Sequence, residues 1–365
     1  MQEILKHYHT MKQLLSLSLF LTLSIATAFA DNTVKANDPN ISFTGRVQRM
    51  DDGAVRYDWV GTYVQTDFTG TAISMKTSEE GESYNQVFID GKLLGKIYFT
   101  GKEPHDIMLA KGLKNGTHRL RLQRVTEGEY GRTTIYSFTA KGKGTFKAVK
   151  PKGRLIEVIG DSYSCGYGAE GTENSHFELK TENCDKAYEC AIARYFDADY
   201  VLVAHSGMGM ARNYAGKTMK TMTLRYPLLF DDHDSVAYDF KQYHPDLVII
   251  NLGTNDFSVN GAPENYVSNY VRMIKTVRRN YGDVPVLCVT PHSANIFLLA
   301  ALKELHEKIA GMKGVRISEP MPDIVVSGHD IGSDWHPNWR GHQKIAATLI
   351  PVVATMTGWE MKDNL

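Results

Sequence analysis

The sequence predicts two successive folds: an all-β sandwich over residues 38–145, then a three-layer α/β/α domain with a parallel sheet over residues 154–365. Three observations carry this expectation. The chain has 365 residues, enough for two domains. Residues 38–145 are short alternating runs rich in Val, Thr, Tyr and Phe, cut by Gly, Asp and Asn, with no long helical period. After Gly144, strand-like runs alternate with longer helical patterns, the signature of βαβ units.

The elements follow in chain order. Residues 1–30 read as a secretory signal: Lys12 precedes an apolar run over 14–26, and Ala28-Phe29-Ala30 supplies the small-residue cleavage pattern, with Met11 as an alternative start. The run is too short to span a bilayer, and no other stretch is long and apolar enough. The expected location is therefore periplasmic or extracellular. The β part has strands at 54–60, 71–76, 86–89, 96–99, 117–124 and 133–139, with a turn at Asp90-Gly91. Residues 145–153 read as a linker. Strands at 155–160, 200–204, 246–251, 284–290 and 315–318 then alternate with helices at 187–195, 266–280, 297–311 and 340–357. That order predicts a parallel sheet with its ligand site beyond the carboxyl ends of the strands.

Composition excludes some classes. The 41 basic and 41 acidic residues cancel, so there is no basic excess to bind nucleic acid or an anionic membrane. Export permits disulfides, and Cys165, Cys184 and Cys190 could supply one pair; Cys288 lies in a strand and reads as a buried small hydrophobe. The cysteine spacing does not match a zinc site. Residues 166–171 match a G-x-G-x-x-G pattern, but six residues beyond the strand end, where a dinucleotide fingerprint does not belong.

Four polar or Gly-rich segments fall at strand ends: Gly160-Asp161-Ser162, Ser206-Gly207-Met208-Gly209, Gly253-Thr254-Asn255-Asp256 and Asp334-Trp335-His336. Ser162 sits where a nucleophile must, fixed by the core yet open to solvent, and needs a base; His336 is the candidate. The Ser162 and Gly207 N–H groups and the Asn255 side-chain amide could form an oxyanion hole. Each residue has an ordinary alternative role in a turn or cap. Their shared placement at strand ends is what favours chemistry. Asp161 reads as a turn-shaping residue, Cys165 as structural and Trp59 as core of the β domain.

In the same order, these segments resemble the four blocks of the SGNH (GDSL) hydrolase superfamily. The longer forms 160–168, 206–214 and 334–338, with Phe43-Thr44-Gly45-Arg46, Trp59-Val60-Gly61, Phe68-Thr69-Gly70-Thr71 and 87–91, are similar to carbohydrate esterase family 2. The resemblance covers nearly the whole chain after residue 30. It implies a β jelly roll followed by an SGNH domain, and removal of acetyl groups from acetylated plant polysaccharides such as xylan and glucomannan. Carried over, Ser162 is the nucleophile and His336 the base, and Gly207 and Asn255 complete the oxyanion hole. No metal or other cofactor is implied. One departure matters: the superfamily's triad Asp usually lies three residues before the His, where this chain has Ser333, and the acid is Asp334. Either Asp334 or a backbone carbonyl then orients His336. Trp335 is either a stacking surface for a sugar ring or a packed aromatic. The same scaffold also suits a lipid, thioester or peptidoglycan O-acetyl ester, and a non-catalytic carbohydrate-binding protein is the reading from another class. The oligomeric state is not specified.

Overall fold

A computed structural model describes residues 31–142, 144–231 and 236–362; the expected signal lies outside them. The first part is a nine-stranded antiparallel assembly of β1 (Asn32–Lys35), β2 (Ser42–Thr44), β3 (Gln48–Arg49), β4 (Val55–Tyr57), β5 (Tyr63–Ile89), β6 (Lys92–Thr100), β7 (His105–Arg124), β8 (Gly131–Ala140) and β9 (Phe146–Lys147). The expected strands at 71–76 and 86–89 belong to one 27-residue strand, β5. Register shifts along it curl the sheet until Tyr63 and Gln86 both pair with Gln123. Phe68, Phe99, Leu120, Leu122 and Phe138 fill the enclosed core. The expected linker is partly a strand, because Phe146 and Lys147 pair with Phe68 and Asp67.

The second part is a parallel sheet in the order β11-β10-β12-β13-β14, made of β10 (Leu155–Gly160), β11 (Asp199–Ala204), β12 (Leu247–Asn251), β13 (Val286–Cys288) and β14 (Val315–Ile317). Strands β10, β11 and β12 are buried on both faces, as a sheet between two helical layers requires. The helices are α1 (Ser162–Cys165), α2 (Tyr188–Tyr195), α3 (Met222–Arg225), α4 (Tyr266–Tyr281), α5 (Ile296–Ile309) and α6 (Trp339–Thr357). One face packs on α2 and α6 through Ile192, Ile345, Leu349 and Val353. The other packs on α4 and α5 through Tyr270, Ile274, Leu298 and Leu302. In α4 the buried positions 266, 270, 273, 274, 277 and 281 form one helical stripe. All four cysteines are free and buried, so the optional pair among Cys165, Cys184 and Cys190 is not formed.

The two parts share their cores. Trp59 is not β-domain core as expected; it is fully buried in the hydrophobic cluster that holds Ile159, Val201 and Val203 of the parallel sheet. Arg46, also from the β part, is fully buried beneath it. Its guanidinium lies 5.8 Å from the Trp59 ring, 5.0 Å from Tyr226, 4.3 Å from Tyr238 and 5.3 Å from Phe240. It donates to the Leu228 carbonyl at 2.8 Å and to that of Tyr226, and faces Glu157 of β10 at 3.8 Å. Glu157 in turn accepts from the hydroxyls of Tyr226 (2.7 Å), Tyr281 (2.8 Å) and Tyr243. The Glu157 side is fully bonded, while Arg46 Nε and Nη2 have no hydrogen-bond partner among the described residues and rest on the aromatic rings and the ion pair; this knot fixes how the two parts meet.

Trp59→Ala should therefore cost about 3–5 kcal/mol, the usual range for deleting a large buried aromatic, and lower the unfolding of the whole chain as one transition. Thermal unfolding followed by circular dichroism checks this; a lowered β-part transition beside an unchanged α/β transition would contradict it.

Candidate active site

Ser162 opens α1, directly beyond β10. Asp161 caps this short helix, accepting from the Tyr163 N–H at 3.1 Å. The turn is too tight for a side chain at Gly160, where a Cβ would sit 2.0 Å from Ser164 Oγ. Sequence thus forces Ser162 onto a sharp strand-to-helix corner, nearly buried yet at the sheet's carboxyl edge. Its Oγ lies 2.8 Å from Nε2 of His336, 174 residues away. Burial holds the imidazole below its usual range, which favours the neutral form a base requires.

His336 is oriented by main chain. Its Nδ1 lies 3.0 Å from the Asp334 carbonyl oxygen. A carbonyl only accepts, so the proton is on Nδ1, and Nε2 is left to accept from Ser162. The Asp334 carboxylate, weighed from sequence as the orienting group, is engaged elsewhere. It accepts from the Phe177 N–H (2.8 Å) and the Tyr167 hydroxyl (3.2 Å), and pairs with His176 Nδ1 (3.0 Å). Those partners, His176 among them, hold it below the usual carboxylate range against the opposing effect of burial.

The reason lies in the backbone. Asp334 and Trp335 have φ of 47° and 66°, two successive non-glycine residues in the left-handed region. Each such residue costs on the order of 1–3 kcal/mol. The carboxylate contacts, the Asp334 N–H to the Ser175 carbonyl (3.1 Å) and the Ser333 N–H to the Gly168 carbonyl (3.2 Å) stitch this turn to the 167–177 loop. The turn aims the Asp334 carbonyl at the imidazole and throws Trp335 outward, 76% exposed; it is not packed. A ladder of rings supports His336 from the same loop: Tyr167 at 4.5 Å, then Phe177 at 4.0 Å from Tyr167, then Tyr130 of the β part at 6.0 Å.

Gly207 lies in the loop after β11 with φ of 75°, a conformation that favours glycine. Neither its N–H nor that of Ser162 has a protein acceptor among the described residues. Asn255 donates its side-chain amide to the Met208 carbonyl (2.9 Å) and to Asp161 (3.2 Å), which ties the Ser162 turn to the Gly207 loop. Asp256 accepts three successive N–H groups, from Met210, Ala211 and Arg212, at 2.7–2.9 Å. Burial pushes Asp161 up to about 8, so little negative charge sits beside Asn255 at neutral pH. The fold thus gathers Ser162, Gly207, Asn255 and His336 at one edge. Sequence reasoning missed Asp256, Tyr167 and Phe177. Asp256 was inside a quoted block; the ring ladder had no local signal. Among the described residues no group of three or more His, Cys, Asp or Glu is placed to hold a metal ion.

Comparison with known proteins agrees on both halves. The carbohydrate esterase 2 N-terminal family matches residues 43–149, and the GDSL-like lipase/acylhydrolase family matches residues 158–344. The cellulase/esterase CelE of Acetivibrio thermocellus is 32% identical over 336 residues, 90% of this chain; the chain spans only 41% of that protein's length. An acetylxylan esterase / glucomannan deacetylase of Cellvibrio japonicus is 29% identical over 80% of this chain and 84% of its own. The structure of a family two carbohydrate esterase from Clostridium thermocellum in complex with cellohexaose is 33% identical, with a TM-score of 0.82 over 88% of this chain and 100% of its own.

Two outcomes follow for the reactivity of Ser162 toward a 4-nitrophenyl phosphonate. If neutral His336 is the base, the labelling rate should fall as pH drops, with a midpoint below 6.5, because burial lowers its pKa; a midpoint above that value would contradict that assignment. Asp334→Asn should keep labelling within about tenfold of wild type, against the roughly 10⁴-fold loss seen when a carboxylate orienting a triad histidine becomes an amide.

Proposed function

Because the chain belongs to carbohydrate esterase family 2, whose catalytic part is a GDSL-like hydrolase, and is therefore a carboxylic ester hydrolase, we propose that it removes O-acetyl groups from plant cell-wall polysaccharide such as xylan or glucomannan, through an acyl-enzyme on Ser162. The observation that carries this reading is the 2.8 Å contact between Ser162 Oγ and His336 Nε2 at the strand edge where Gly207 and Asn255 meet. Relatives named acetylxylan esterase / glucomannan deacetylase support the substrate class.

Ser162 attacks the acetyl carbonyl while His336 Nε2 takes its proton. The charge that develops on the carbonyl oxygen is met by the Ser162 and Gly207 N–H groups, and by the Asn255 amide once it gives up its 3.2 Å contact with Asp161; one such donor is worth about 2.7–4 kcal/mol. The imidazolium keeps its Nδ1–H on the Asp334 carbonyl, whose dipole stabilises it without a second charge in the site. His336 then gives its proton to the departing sugar oxygen. Water, deprotonated by the same nitrogen, attacks the acetyl-serine and releases acetate. No metal or other cofactor enters any step.

Specificity comes from the glycan. Acetyl is a small acyl group and offers little to recognise, so the sugar supplies the contacts. Two exposed aromatics flank the chemistry and suit the apolar faces of pyranose rings: Trp335, next to His336, and Tyr214, 63% exposed, whose N–H donates to the Gly207 carbonyl at 2.8 Å. The apolar run within residues 1–30 serves export, which brings the enzyme to its polymer.

Acetate release from acetylated xylan, acetylated glucomannan and a chromogenic acetate tests the reading. Wild type should release acetate from at least one glycan, and Ser162→Ala or His336→Ala should lower kcat by roughly 10⁴-fold or more. Release from no acetyl ester would remove the acetylesterase reading. Undiminished release by Ser162→Ala would remove Ser162 as nucleophile.

A further inference from the structure

We propose that Glu127, a residue of the β part, is a positioning residue that sets the oxyanion hole by holding the peptide in front of Gly207; the proposal rests on the acyl-transfer reading of Ser162. Glu127 is fully buried, in the segment between β7 and the short turn Gly128–Tyr130. One carboxylate oxygen accepts the Ser206 backbone N–H at 2.5 Å, and the other accepts the Ser206 hydroxyl. A single carboxylate thus fixes both the peptide before Ser206 and the side chain of Ser206.

That double grip has a geometric consequence. The N–H offered by Gly207 belongs to the peptide that follows Ser206. Its direction is set by φ and ψ at Ser206, whose N–H and hydroxyl are both tied to one rigid group on the upstream side of that peptide. The preceding residue is held in the same way. His205 Nδ1 pairs with Asp231 at 2.9 Å, and Nε2 lies 3.5 Å from Glu129, two residues beyond Glu127. Beyond Gly207 the loop is pinned by Asp256 of the α/β part. Gly207 therefore sits between two anchors, and the upstream one comes largely from the other part of the chain.

The segment carrying Glu127 is itself built for stiffness. Buried Arg124 donates to the Thr126 carbonyl at 2.9 Å, the Glu127 carbonyl at 2.8 Å and the Gly131 carbonyl at 2.6 Å. It also pairs with Glu79 at 3.1 Å. The Glu127 N–H donates to Glu182 at 3.0 Å, which ties the segment to the α/β part. A carboxylate suits the task because it only accepts, and Ser206 presents two donors.

The test compares wild type, Glu127→Gln, Glu127→Ala and Tyr63→Phe. Tyr63→Phe removes the 2.6 Å hydrogen bond from Tyr63 to Asp199 at the opposite end of the sheet, a contact between the same two parts that touches no active-site loop. The first readout is the rate at which a 4-nitrophenyl phosphonate labels Ser162, since its tetrahedral adduct needs the hole but no sugar. It reads the Glu127 effect even if acetylated glycans are not substrates. The second is kcat and KM on a chromogenic acetate, with the melting temperature measured alongside. Misplacing a catalytic group by about 1 Å can cost roughly 100-fold. Glu127→Ala should accordingly slow labelling and kcat together, by about 10- to 100-fold, with KM within about twofold. Glu127→Gln, which keeps one acceptor, should fall between it and wild type and remain folded. Tyr63→Phe should lower the melting temperature and leave the labelling rate unchanged. Folded Glu127→Gln and Glu127→Ala proteins that both label within about twofold of wild type would overturn the proposal. So would an equal slowing in Tyr63→Phe, which would assign the effect to general loosening.

Discussion

The His336 imidazole is held by a main-chain carbonyl whose own backbone is bent into the left-handed region and kept there. The 3.0 Å contact between the Asp334 carbonyl and His336 Nδ1 is that constraint. Asp334 and Trp335 both adopt left-handed φ, tolerable for Asp but unfavourable for the bulky Trp335. The strain is absorbed by the 167–177 loop, which supplies Phe177 N–H, Tyr167 hydroxyl and His176 to the Asp334 carboxylate and the Gly168 and Ser175 carbonyls to the turn. That loop begins five residues after Ser162. Ser162 and the support for His336 therefore rest on one stretch of chain, and this couples their geometry.

The second constraint is the joint between the two parts. Arg46 and Trp59 enter the α/β core, where Arg46 faces Glu157 in the middle of β10, the strand that ends at Ser162. Glu127 and Glu129 reach the far end of the neighbouring strand β11 and hold Ser206 and His205. The β part thus braces the sheet both beneath Ser162 and beside the Gly207 loop. Its proximity to the site through Tyr130, which stacks on Phe177, fits the same picture. A module attached by a flexible linker would show none of these contacts; residues 146 and 147 instead close the β assembly as an edge strand.

Much of this was legible in the sequence, for a physical reason. Parallel strands leave short apolar runs, and the polar residues just after each run must lie at one edge of the sheet. Ser162, Gly207 and Asn255 could be nominated on that ground; His336, well beyond the last strand, was nominated by its place before the last helix, in triad order, and by the family resemblance. The orienting group could not, because a carbonyl belongs to every residue and left-handed φ at Asp334 has no signature without glycine. Trp59 was read as β core because its neighbours alternate like a strand; the partner strand that buries it is about a hundred residues distant in sequence. The single strand β5 looked like two since its bulges mimic turns. Glu127 escaped notice because side-chain to backbone bonds across long separations leave no pattern in either segment.

The protonation state of one ring decides whether the main chain of Asp334 orients His336. A long-range ¹H–¹⁵N spectrum of ¹⁵N-histidine-labelled protein at neutral pH reads the tautomer of His336, identified by loss of its signals in His336→Ala. A neutral ring with its proton on Nδ1 is the predicted result, since a carbonyl can only accept. A proton on Nε2 with Nδ1 bare, or an imidazolium at neutral pH, would contradict the claim that the main chain of Asp334 holds the base.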